Sequence, residues 1–194
     1  MHSGDLFADQ SFAQAIPLAA GILLLPGLAL PVADNFGAEL AAIIEQAALR
    51  KVITPGGFCM SVMMSNCGPL GWVSDRAGYR YQPTDPSSGQ PWPAMPASWL
   101  ALAQQAATRA GFADFSPDAC LINRYLPGAR MSLHQDQDER DFSQPIVSLS
   151  FGLPAVFQLG GLQRADPVQR IALQHGDALV WGGPAAVLNS NADS

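Results

Sequence analysis

"NRYLPGARMSLHQD", residues 123–136, is the stretch on which the reading of this chain turns. Pro127 and Gly128 suit positions i+1 and i+2 of a type II turn, joining the strand-like runs "ACLINRY" and "ARMSLHQ". Alternate residues of a strand share a face. His134 and Asp136 therefore point the same way one pleat apart, and Asn123 and Tyr125 share a face on the preceding strand. An imidazole, a carboxylate, an amide and a phenol suit a hard-to-borderline cation with a small polyoxygenated ligand.

Downstream the same rhythm continues. "PIVSLSFG", "AVFQLG", "QRIALQ" and "DALVW" are short runs separated by turn residues, a spacing that predicts a sandwich, jelly roll or barrel. The 18 Gly and 16 Pro favour a turn-rich, mainly β chain over a helical bundle. With 48% hydrophobic and 13% charged residues among 194, the chain has enough apolar material for a core and is not disordered by composition. A net charge of −6 excludes a global basic field that would attract nucleic acid, so any such contact has to be local. Cys59, Cys67 and Cys120 lack CxxC spacing and read as free thiols of a reducing, cytoplasmic compartment.

Upstream, the apolar "PLAAGILLLPGLALP" is broken by Pro26-Gly27 and falls short of the ~20 residues a membrane span needs. It reads as a buried strand and turn of a soluble protein. Asp34 is placed to cap a helix over 35–50 with Phe36, Leu40, Ile43, Ile44 and Ala47 on one stripe, and Ser98 to cap a second over 99–110. "FCMSVMMSN" (58–66) reads as a strand after the turn "TPGG", and residues 67–96 as a long, irregular, aromatic-bearing loop.

Taken singly, these features have ordinary explanations. A lone His-x-Asp is a weak metal signal, "QDQDERD" reads as a solvated acidic loop, and Trp72, Tyr79 and Tyr81 read as packing residues. Their joint occurrence in order is what carries weight. With "TPGGFCMSVMMSNCGPLGW", "GYRYQP", "PWPAMP", "PDACLINRYLPGARMSLHQDQDE", "PIVSLSFGLPAVFQLGGLQR" and "HGDALVWGG", the chain from about 54 to 183 resembles the AlkB family of Fe(II)/2-oxoglutarate-dependent nucleic-acid dealkylases, its bacterial members most of all.

That resemblance implies an α+β, mainly β fold: a double-stranded β-helix (jelly roll) with N-terminal helices and a nucleotide-recognition lid. It divides one structural domain into an N-terminal extension, helices and lid over 1–115 and a catalytic core over 116–194. It implies Fe(II) held by His134 and Asp136, 2-oxoglutarate held by Asn123 and Tyr125, and O₂ as co-reactant. Trp72, Tyr79, Asp138 and Arg164 match residues that hold a flipped base and its flanking backbone, with Met64 and Thr54 in the same lid. Ser148 and Trp181 fall on inner strands near the cosubstrate pocket, and Arg76, Arg80, Arg130 and Arg164 are placed to meet phosphates. The implied activity is oxidative removal of N-alkyl groups from bases of single- or double-stranded DNA, or of RNA, by a monomer that binds no membrane.

The match also has a gap. The family places a second iron-binding His and 2-oxoglutarate-clamping Arg residues after the "WGG" segment, where this chain reads "GGPAAVLNSNADS". Of its three histidines, His2 lies near the terminus and His175 falls in a turn upstream of "WGG". The expectation is therefore a C-terminally truncated relative with no third ligand, missing the last jelly-roll strands and leaving apolar residues of "IVSLSF" and "ALVW" exposed. Its alternative function is that of a catalytically dead nucleic-acid-binding relative.

Overall fold

Pro26-Gly27 does interrupt the apolar N-terminal run, and the strand before it becomes the centre of a sheet. In this computed structural model, which describes residues 14–131, 134, 141, 143–161, 166–183 and 190–193, β1 (Ile16–Ala19) and β2 (Ile22–Leu25) form a hairpin. A 3₁₀ turn (Leu30–Val32) leads into helix α1 (Ala33–Gln46). Then follow β3 (Arg50–Ile53), β4 (Cys59–Cys67), β5 (Gly71–Asp75), β6 (Gly78–Gln82) and helix α2 (Ala97–Arg109). The chain continues through β7 (Cys120–Arg124), β8 (Ile146–Leu149), β9 (Ala155–Leu159), β10 (Gln169–Leu173), β11 (Ala178–Trp181) and β12 (Ser190–Asp193).

Two sheets make the jelly roll, in strand orders β1-β2-β11-β8 and β10-β9-β12. Ile22 and Leu24 of β2 and Leu179 and Trp181 of β11 pack with Phe157 and Leu159 of β9 and Ile171 and Leu173 of β10. On the far side of the first sheet, Leu25, Ala178 and Val180 pack against Leu102 and Ala106 of α2. A large apolar side chain fully withdrawn from water contributes about 1.5–3 kcal/mol, so β11, buried along its whole length between β2 and β8, contributes strongly to the core.

This corrects the expectation that "ALVW" is left exposed: β2 covers one edge, β8 the other, and α2 one face. The residues of β8 are half-buried. The reading of "GGPAAVLNSNADS" as having lost its strand rhythm is corrected as well. Ser190–Asp193 pairs antiparallel with β9, Ala192 opposite Phe157. Small polar residues carry no strand signal of their own, and backbone pairing with β9 supplies it.

A third sheet, β3-β4-β7, stands in front of the helices, with the β5–β6 hairpin beside it. Behind it, Cys67 and Ile43 pack with Trp99 of α2, alongside Cys120, Ile122, Phe36 and Leu40. Glu39 joins the helices by accepting from Ser98 Oγ and Trp99 Nε1, each at 2.7 Å. Neither expected cap is formed. Asp34 lies inside the first turn of α1, and Ser98 is spent on Glu39 while Pro96 precedes α2. Helix α1 stops at Gln46 because the chain must turn at Ala47 to enter β3. The expected strand over 58–66 is β4 within one residue. The stretch 67–96, expected to be irregular, holds the regular β5–β6 hairpin, whose pairing arises from cross-strand register that helix or strand periodicity does not announce. None of the described helices is long and apolar enough to cross a membrane.

Candidate functional site

The turn predicted at 126–129 is present: Ala129 N–H donates to Leu126 O at 2.8 Å and Gly128 takes φ +82°. Before it, β7 pairs with β4 so that Asn123 stands opposite Met64, and β3 places Arg50 opposite Met64 on the other side. Cys120 and Ile122 face the helices, so by strand alternation Asn123, Met64 and Arg50 form a row on the opposite, front face. Asn123 is exposed and Tyr125 half-buried. Past the turn, Ser61 Oγ donates to Arg130 O at 2.8 Å and ties the returning chain to β4. The strand expected over "ARMSLHQ" lies partly outside the described residues.

The front face carries a hollow lined by Arg50, Val52, Met64, Asn66, Trp72, Val73, Ser74 and Pro86. Trp72 and Tyr79 sit diagonally on the hairpin, their rings 5.5 Å apart at 18°, a stacked pair with Tyr79 45% exposed. Two bonds dock β5: Ser74 Oγ donates to Ile53 O at 2.7 Å, and the buried Asn66 amide accepts from Trp72 N and donates to Trp72 O. Thr54 Oγ1 accepts the Phe58 N–H at 3.2 Å, which closes the β3–β4 turn and leaves Phe58 77% exposed at its tip.

Charges around the hairpin are largely committed. Arg80 makes a two-point pair with Asp75, at 2.8 and 3.1 Å, and donates to Gln82 through Nε. The Arg80 guanidinium, then the Ala77 N–H, hold the Asp75 carboxyl below its usual value. Arg80 thus braces the hairpin, whereas Arg76 at its turn and Arg130 after β7 are exposed. Arg50 pairs with buried Asp85 at 2.7 Å and lies 5.5 Å over the Trp92 ring. Asn66 and the Arg50–Asp85–Trp92 group were not anticipated from sequence. The available signal was polar residues within otherwise apolar strand context, such as the Asn ending "MSVMMSN".

Ser148 stands opposite Leu179 and Trp181 opposite Ile146, and both lie on the inner face of the sandwich; Trp181 packs on Phe157 with rings 5.4 Å apart. His175 Nδ1 accepts the Gly152 N–H at 3.0 Å, and the ring meets Phe151 edge-on, joining two loops. His134 is exposed. Asp136, Asp138, Arg164 and His2 lie outside the described residues. No three His, Cys, Asp or Glu side chains gather to hold a metal among the described residues. An exposed imidazole two positions from a carboxylate nevertheless fits Fe(II) in donor type.

Residues 21–187 match the model of the 2OG-Fe(II) oxygenase superfamily. The chain is 55% identical over 179 residues to the alpha-ketoglutarate-dependent dioxygenase AlkB of Escherichia coli strain K12, covering 92% of this chain and 82% of that protein. It is an AlkB-family member of that superfamily. The family is further represented by the human nucleic acid dioxygenase ALKBH1, 34% identical over 121 residues, 62% of this chain and 31% of that one. In fold, this AlkB-family chain is similar to the structure of OsALKBH1, with a TM-score of 0.79 at 24% identity, covering 93% and 87% of the two chains. As an AlkB-family enzyme it is a dioxygenase that takes Fe(II) as cofactor and 2-oxoglutarate and O₂ as cosubstrates.

Proposed function

We propose that this chain repairs alkylated DNA by direct oxidative removal of N-alkyl groups. The observation that carries this reading is the row on the front sheet. Asn123 stands opposite Met64, and Met64 lines the same hollow as Trp72, whose indole stacks with Tyr79. A group suited to a dicarboxylate and a surface suited to a planar base thus share one face.

His134 and Asp136 would hold Fe(II), which when bound supplies oxidation of the alkyl carbon at the expense of O₂ and 2-oxoglutarate. Asn123 and Tyr125 bind and orient the 2-oxoglutarate carboxylates through their amide and phenol. A base must leave the stack to reach such a site, and Trp72 with Tyr79 replaces the lost stacking. Asp138 would pair with a base made cationic by alkylation and Arg164 with its backbone, and Met64 and Thr54 complete the lid. The lid is carried by residues up to about 115, and the metal and cosubstrate ligands, with Asp138 and Arg164, by 116–194. The chain works as a cytoplasmic monomer on single- or double-stranded DNA, with RNA as the second substrate to compare.

The test incubates the chain with Fe(II), ascorbate, 2-oxoglutarate and an oligonucleotide carrying one N-methylated base. Succinate, formaldehyde and the unmodified base are expected in equal amounts. Lesion-selective binding with no succinate would make the chain a nucleic-acid-binding relative instead.

A further inference from the structure

We propose that Asn66 is a positioning residue for base recognition, setting the Trp72 indole through the Trp72 backbone. The proposal rests on the reading of Trp72 as the stacking surface.

Asn66 is 3% exposed near the end of β4. Burying a primary amide is unfavourable unless its donor and acceptor are both paired. Both are spent on a single residue: Trp72 N–H donates to Asn66 Oδ1 at 2.9 Å, and Asn66 Nδ2 donates to Trp72 O at 3.0 Å. Trp72 also stands opposite Tyr81 in the β5–β6 ladder. The N–H and C=O of one strand residue point to the same side. Since those of Trp72 point at Asn66, they point away from β6, and the Trp72–Tyr81 pair is of the kind without hydrogen bonds between its members. The Asn66 amide therefore acts as one residue's worth of a third strand, placed at the position that carries the indole.

The surroundings are built for this approach. A side chain on residue 71 would press on the Trp92 ring, and its Cβ would lie 2.8 Å from Asn66 Cβ, so β5 comes this close because Gly71 has none. A two-stranded hairpin is marginal without such attachment. An amide alone meets the requirement in a planar, strand-like way. A carboxylate of the same shape would aim a second acceptor at Trp72 O.

The experiment measures anisotropy of a labelled single-stranded oligonucleotide carrying one N-methylated adenine, with its unmodified twin, against the full chain at pH 8. Asn66→Asp is expected to weaken binding of the methylated strand about tenfold and leave the unmodified strand unchanged, as expected for partial loss of one stack. Asn66→Ser, whose shorter hydroxyl falls where the amide carbon stood and reaches neither Trp72 atom directly, should lose at least as much without introducing a charge and provides the answer if the first variant does not melt cooperatively. In a Trp72→Ala background, Asn66→Asp should cost less than twofold more. Lowering the pH should restore the Asn66→Asp variant relative to wild type, because a protonated carboxyl again offers one donor and one acceptor. Wild-type affinity in both Asn66 variants, with Trp72→Ala weakened, overturns the proposal and leaves the stacking surface standing. A full, independent loss in the Trp72→Ala background also overturns it. Unchanged affinity in Trp72→Ala alone removes the stacking surface, and the proposal with it.

Discussion

Met64 and Asn123 face each other across the β4–β7 ladder on the side of the sheet turned away from the helices. Their side chains extend from adjacent backbone positions, yet the proposed function gives them different partners, one the base and one 2-oxoglutarate. Asn123→Ala is expected to raise the KM for 2-oxoglutarate at least tenfold, the loss of a hydrogen bond to a charged group being worth about 1.5–3 kcal/mol. Met64→Ala should instead weaken lesion binding and leave that KM within twofold. Succinate kinetics beside oligonucleotide titrations separate the two. If Asn123→Ala changes oligonucleotide affinity alone, Asn123 belongs to the recognition surface.

His134→Ala and Asp136→Ala should each abolish Fe(II) binding, or Mn(II) binding where that ion stands in for it. His175→Ala should leave metal affinity unchanged, since its Nδ1 already accepts from Gly152. Calorimetric titration decides this. Equal affinities in wild type and the first two variants would place the metal elsewhere.

Gly71→Ala tests how tightly the β5–β6 hairpin is packed. The added methyl group meets the buried Trp92 ring, which also donates through Nε1 to Gln82 O at 3.0 Å and carries Arg50 on its face. Overpacking of this kind costs about 1–3 kcal/mol, and thermal melts should register that loss together with weaker lesion binding. A melt identical to wild type would mean that Trp92 moves aside freely.

The three thiols should separate by reactivity. Cys59 is exposed, whereas Cys67 is fully buried opposite Cys120. The hydrogen bond with Cys120, then burial, push the Cys67 thiol up, while the same bond lowers Cys120. Iodoacetamide at pH 8 should modify Cys59 rapidly and Cys67 only on unfolding, and Cys59→Ser should remove the rapid modification at that position. Rapid modification of Cys67 in the folded chain, seen by peptide mass, would contradict the packing of β4 on β7.

Local chemistry made much of this protein legible from its residues alone. The Pro127-Gly128 turn, the strand at β4, the apolar stripe of α1 and the ordered "NRYLPGARMSLHQD" motif each depend on neighbours within a few positions, and such short-range preferences survive without knowledge of the fold. Tertiary structure decided what depends on distant partners. Ser190–Asp193 is a strand because β9 offers a paired edge, and Ser98 leaves its capping role because Glu39 of another helix claims its hydroxyl. Asn66 means little in "MSVMMSN" until β5 arrives with the Trp72 backbone, and Asn123 meets Met64 only through a register between strands over fifty residues apart. Backbone pairing and buried polar satisfaction are set by which groups meet when the chain closes, and residue order states that only indirectly.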